Sequence, residues 1–80
     1  MAINPKSGAA YFEMGKAYRS REEWGLAAQA LEQAIELDPQ ASQYYYVLSY
    51  VYKKLGKIEK SHEAMEHFRK LGGSASNTTR

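Results

Sequence analysis

Apolar side chains recur along this chain at steps of three and four, in blocks parted by short polar breaks, and this is the spacing of amphipathic helices. Tyr11, Met14, Ala17 and Tyr18 mark one face of a helix predicted from about Gly8 to Arg21, with Ser7 as its N-cap. Trp24, Ala27, Ala28, Ala30, Leu31, Ala34, Ile35 and Leu37 spread over several faces of a second helix, from about Glu23 to Leu37, which predicts packing on two sides. Asp38-Pro39 stops it, because the residue before proline is pushed out of the α region and proline has no N–H to donate. A third helix, from about Ala41 to Leu55, turns Tyr45, Leu48, Val51 and Tyr52 inward and ends at Gly56 as a left-handed cap. The fourth, from about Lys57 to Leu71, turns Ile58, Ser61, Ala64, Met65, Phe68 and Leu71 inward. Its other side is Lys57, Glu59, Lys60, Glu63, Glu66, Arg69 and Lys70, a polar face that predicts no further packing partner there.

The second pair of helices repeats the first at an offset of about 34 residues, a length characteristic of stacked helical hairpins. Tyr11 falls on Tyr45, Met14 on Leu48, Gly15 on Ser49, Tyr18 on Tyr52, Ala27 on Ser61 and Leu31 on Met65. Gly15 lies mid-helix, where glycine costs ~1 kcal/mol against alanine, so it predicts close approach of a neighbouring helix, with Ala27 facing it. The second copy pairs Ser49 with Ser61, again small against small. Ala2-Ile3-Asn4-Pro5 aligns with Glu36-Leu37-Asp38-Pro39, so residues 1–6 read as the end of a preceding repeat. Residues 7–41 form the first repeat, 42–72 the second, and 73–80, small and polar beyond Gly72, a disordered tail. The fold class is all-α: two antiparallel helix-turn-helix repeats, four helices in all, stacked as a short solenoid.

These residues resemble the tetratricopeptide repeat: Tyr11-x-x-Met14-Gly15-x-x-Tyr18, then Ala27-x-x-x-Leu31, Ala34 and Asp38-Pro39. The second copy, Tyr45-x-x-Leu48-Ser49-x-x-Tyr52 with Gly56, Ser61 and Met65, resembles it more loosely and lacks the closing proline. The resemblance covers about Ile3 to Leu71. It implies a right-handed superhelix of antiparallel helix pairs, with the first helix of each pair lining a concave groove that takes up peptides or extended protein segments.

Composition mainly removes alternatives. Without cysteine there is no disulfide framework, no thiolate nucleophile and no cysteine-ligated zinc. No apolar run is long enough to span a bilayer, and Met1 to Lys6 lacks the apolar stretch of a secretory signal, so the default compartment is the cytoplasm. His62 and His67 are five residues apart on one helix, roughly 140° round from each other, and cannot share a metal. Glu22 and Glu23 suit a helix N-terminus, while Glu32 and Glu36 read as solvated carboxylates. No phosphate-cradling loop and no nucleophile–base set can be assembled, so neither an enzyme nor a cofactor is expected.

One stripe remains once the core positions are removed: Phe12, Lys16, Arg19 and Ser20 on the first helix, and Tyr46, Tyr50, Lys53 and Lys54 on the third. The resemblance places these positions on the concave groove. Phe12, Lys16, Arg19, Tyr46, Tyr50, Lys53 and Lys54 are therefore the expected partner-binding residues, aromatics ringed by cations and suited to an acidic peptide with apolar anchors. Positions where a clamp for a C-terminal carboxylate would need asparagine hold Glu13 and Val47, which speaks against a chaperone-tail receptor. The expected function is a protein-interaction scaffold, with self-association through the first helix, as a piece of a longer array, the alternative. Single-stranded nucleic acid is a distant third, because a net charge of +2 leaves little electrostatic footprint.

Overall fold

The computed structural model describes residues 7–72; the expected remnant at 1–6 and the tail from 73 onward lie outside them. Four helices run through the described residues: α1 (Gly8–Ser20), α2 (Trp24–Leu37), α3 (Ser42–Lys54) and α4 (Ile58–Lys70). Each lies within a residue or so of its predicted bounds. The pairs α1–α2 and α3–α4 form hairpins, and α2 packs on α3 to join them.

Local chemistry accounts for the helix ends. Ser7 Oγ accepts from the backbone N–H of Ala9 (3.1 Å) and Ala10 (3.4 Å), satisfying two donors that the first turn leaves open. After α1 the chain turns at Glu22 with φ of 62°, and after α3 it turns at Gly56 with φ of 81°. Both turns close alike. The N–H of Glu23 reaches the carbonyl of Tyr18, and the N–H of Lys57 that of Tyr52, each at 2.9 Å. Glu22 therefore does at the first hairpin what glycine does at the second.

Inside the hairpins the approach is as close as the small residues suggested. A Cβ built on Gly15 would stand 2.7 Å from Leu31 Cγ and 3.5 Å from the Ala27 carbonyl oxygen, so Leu31 rather than Ala27 is the nearer neighbour. In the second hairpin Ser49 Oγ and Ser61 Oγ share a buried hydrogen bond of 3.2 Å. The two copies thus solve one packing problem differently: the first by leaving out the side chain, the second by pairing two hydroxyls that an apolar core would otherwise strand.

Three readings of the helix faces are corrected. On α1 the buried residues are Gly8, Phe12 and Gly15, whereas Met14 is 42% exposed and Ala17 is open. The stripe is rotated because α1 turns Phe12 toward α3, where it stacks on Tyr44 at 4.5 Å. Burial, with Asp38 nearby, pushes the Tyr44 hydroxyl above its ordinary pKa. Glu32 is not merely solvated: it accepts from the buried Tyr52 hydroxyl at 2.5 Å across the joint between the hairpins. Finally, α4 leaves Ile58 and Leu71 exposed, so its apolar positions are less covered than its polar far side implied.

Replacing Gly15 by alanine sets two effects against each other. Alanine's helix preference is worth ~1 kcal/mol, but crowding a fully buried Leu31 costs about 1–3 kcal/mol. Crowding wins: thermal denaturation of Gly15→Ala should show a midpoint several degrees lower. The Tyr52 hydroxyl is held above its ordinary pKa by burial first, then by its bond to Glu32 and the charges of Glu32 and Glu63. A raised pKa means that its contribution is complete below about pH 10 and is lost as pH rises through the folded-state value. Tyr52→Phe should therefore cost about 1 kcal/mol in urea denaturation at neutral pH. The gap to the parent protein should narrow by about pH 11.

Candidate functional site

Between the C-terminal half of α1 and the exposed side of α3 runs a groove enclosing about 510 Å³, lined by Arg19, Ser20, Glu22, Trp24, Tyr46, Val47 and Tyr50. Its position follows from the hairpin geometry: α1 and α3 are the first helices of their pairs and lie side by side. Tyr46 and Tyr50 are one turn apart on α3 and point the same way. Both are exposed, at 53% and 45%.

The aromatic rings of the lining continue past it at one end. Trp24, at the start of α2, meets Tyr50 edge-on with centroids 5.9 Å apart. Tyr46 meets Phe68 of α4 at 5.1 Å. Trp24, Tyr50, Tyr46 and Phe68 thus form a row contributed by three helices. Each ring is braced by a neighbour, leaving little rotamer freedom to lose on binding.

Charge sits at one end of this row. Lys54 Nζ lies 5.5 Å from the Tyr50 centroid and 5.8 Å from that of Trp24, within the range of a cation–π attraction. Arg19 contributes a second cation to the lining and Glu22 a carboxylate, so the groove is mixed in sign rather than uniformly basic.

The seven residues expected from sequence separate into groups. Arg19, Tyr46 and Tyr50 are brought together in the lining, and Lys54 stands over its aromatic end. Phe12 is corrected: at 8% exposure and stacked on Tyr44 it is core, not contact surface. Lys16 follows it, with Nζ 4.8 Å above the Phe12 ring and 3.4 Å from Glu13, so it covers the core residue. Lys53 is exposed and outside the lining. Trp24 and Phe68 were missed because the helical pattern assigned both to packed faces. The available signal was Trp24's place in the first turn of α2, where a large ring reaches past the helix end toward the neighbouring hairpin.

His67 stacks on Tyr45 at 4.9 Å and so serves packing, and no cluster that could hold a metal occurs among the described residues. No helix of the described residues is long and apolar enough to cross a membrane.

The family described as TPR repeat matches residues 15–56, and that described as tetratricopeptide repeat matches residues 42–71. No curated protein matches the chain. Among solved structures, MamA 41-end from Desulfovibrio magneticus RS-1 is similar in fold, with a TM-score of 0.82 at 23% sequence identity. The match covers 91% of this chain and 41% of that one.

Glu22 combines a place on the groove with a left-handed backbone, a conformation that costs a residue bearing a Cβ roughly 1–2 kcal/mol. Glu22→Gly relieves that strain at some entropic cost in the unfolded chain. Its denaturation midpoint should rise by a few degrees, and a fall would show that the Glu22 side chain stabilises the turn more than its backbone strains it.

Proposed function

Since the chain belongs to the tetratricopeptide-repeat family, we propose that it is a protein-interaction scaffold whose groove between α1 and α3 takes up a peptide or protein segment carrying apolar anchors and carboxylates. The general role is that of the family, in which such repeats serve as non-catalytic platforms for protein partners. The finer assignment rests on one observation, the braced aromatic row from Trp24 to Phe68, with Tyr46 and Tyr50 exposed within it and Lys54 over one end.

The row and the charges divide the work. Exposed rings at Tyr46 and Tyr50 supply contact area that water solvates poorly, and the cations draw in carboxylates from a distance. Glu22 keeps the lining from being a uniformly positive track, which disfavours a phosphate backbone and favours a peptide with both apolar and charged groups. Two hairpins offer a short groove, so affinity is expected to be weak to moderate.

The test is a titration of the protein with short peptides holding a leucine or phenylalanine between aspartates and glutamates, followed by chemical-shift mapping. Shifts should centre on Tyr46, Tyr50 and Trp24. Tyr46→Ala and Tyr50→Ala should each weaken binding about tenfold, mainly through faster dissociation. Lys54→Gln should slow association and reduce its salt dependence. Shifts confined to the outer face around Glu36 and Glu63, with the tyrosines unmoved, would move the site elsewhere.

A further inference from the structure

On the side of α3 turned away from Tyr46 and Tyr50, α2 and α4 stand apart. They do not pack on one another among the described residues, and α3 lies between them. The gap is a cleft of about 230 Å³, floored by Tyr45, Leu48 and Tyr52 of α3. Ile35 on one wall and Ala64 on the other continue its apolar lining, and each wall brings a carboxylate, Glu32 from α2 and Glu63 from α4. Neither carboxylate is ion-paired among the described residues. Glu32 Oε2 accepts from the Tyr52 hydroxyl at 2.5 Å, while its Oε1 accepts no hydrogen bond from the described residues. Burial raises the Tyr52 pKa most, and the bond to Glu32 and the charges of Glu32 and Glu63 add to it, so both carboxylates bear on the same ring.

Carboxylates alone would make only a solvated rim, but this cleft already shows where it seats a cation. Lys60 Nζ lies 5.7 Å from the Tyr52 centroid, on the ring and not on Glu63, although Glu63 is one turn away on the same helix. The acidic and imidazole groups of the described residues are not clustered as a metal requires, so the ligand that answers this field is an organic cation.

We infer that the cleft between α2 and α4 receives one arginine side chain of a partner protein, whose guanidinium replaces Lys60 on the Tyr52 ring between Glu32 and Glu63. Size, shape and stem select arginine. Pockets that enclose whole small ligands hold ~300–1,000 Å³, so this smaller cleft fits a single long side chain. A guanidinium is planar, stacks on aromatic faces and carries donors on several edges, so it can serve carboxylates on two walls; an ammonium is a point charge. The methylene stem lies over Leu48 and Ile35, as the stems of long cationic side chains cover apolar surface. Tyr45, with His67 stacked on it at 4.9 Å, supplies a second aromatic wall. The cleft shares no lining residue with the groove, so the inference stands apart from the groove assignment.

The probes are three acetylated and amidated peptides, Gly-Ala-X-Ala-Gly, in which X is arginine, lysine or citrulline, the last being the uncharged analogue of arginine. Titrated into the isotope-labelled full chain, the arginine peptide should give saturable shifts at Leu48, Tyr52, Glu63 and Ala64 and leave Tyr46 and Tyr50 unmoved. The lysine peptide should bind about threefold more weakly, and the citrulline peptide should give no saturable shift. Glu63→Gln, at an exposed position, should lower affinity for the arginine peptide about fivefold with an unchanged melting temperature. Lys60→Gln should raise it about threefold, because the competitor for the Tyr52 ring is gone. Glu59→Gln and Lys57→Gln, which change the same charges outside the cleft, should leave affinity as it is. Equal shifts from the arginine and citrulline peptides, or equal effects of Glu59→Gln and Glu63→Gln, would overturn the inference. So would shifts in the groove with the cleft unmoved, tighter binding of the lysine peptide, or no saturation at the solubility limit of the arginine peptide.

Discussion

Everything in this structure depends on how closely the two helices of a hairpin approach. Leu31 sits fully buried against the bare Cα of Gly15, so α2 lies against α1 at a distance that no side chain at position 15 would allow. That approach buries Ala27 and Ala34 as well, because small residues on α2 reach the core only if the helix itself comes near. In the second hairpin Ser49 and Ser61 meet in the same register, and their shared hydrogen bond makes a polar pair tolerable in a buried place. Close packing of dense interiors is sensitive to a single methylene, so this spacing sets the tilt of each hairpin and all that hairpins can build together.

The joint between hairpins is the next consequence. With α2 held close to α1, its opposite stripe is free to meet α3, and there the contact is mixed: apolar packing around Ile35 with Tyr52 and Tyr45 donating to Glu32 and to the Pro39 carbonyl. Tyrosine suits this place because its ring is buried while its hydroxyl reaches a partner at the edge. A purely apolar joint would pack in several registers, whereas two directed hydrogen bonds favour one. The same economy of parts leaves the first hairpin with an identical set of positions and nothing of the described chain upon it.

The groove arises on the other side of this arrangement. Its aromatic row is assembled from α2, α3 and α4, and none of those helices presents more than two of the rings. Trp24 reaches Tyr50 only because the turn at Glu22 brings the start of α2 beside α3, so the left-handed residue shapes the site as well as the hairpin. Lys54 then finds two ring faces at once.

Much of this was written in local spacing. Helix bounds follow from caps, breakers and apolar steps of three and four, all of which act over a few residues: Ser7, Asp38-Pro39 and Gly56 end or begin helices whatever the rest does. The repeat was legible because two copies of one pattern, each too faint alone, coincide at a fixed offset. The close approach at Gly15 was legible too, since a mid-helix glycine is costly unless something needs its space. What sequence left undecided was rotation about the helix axis. Apolar spacing put Met14 inward and Phe12 on the groove stripe, and only the position of α3 decides that Phe12 is stacked on Tyr44 while Met14 stays open. The same holds for Trp24 and Phe68, whose membership of the groove depends on rings on a neighbouring helix. A helix carries its period within itself, but which part of its surface is inside depends on what lies beside it, and that only the tertiary structure decides.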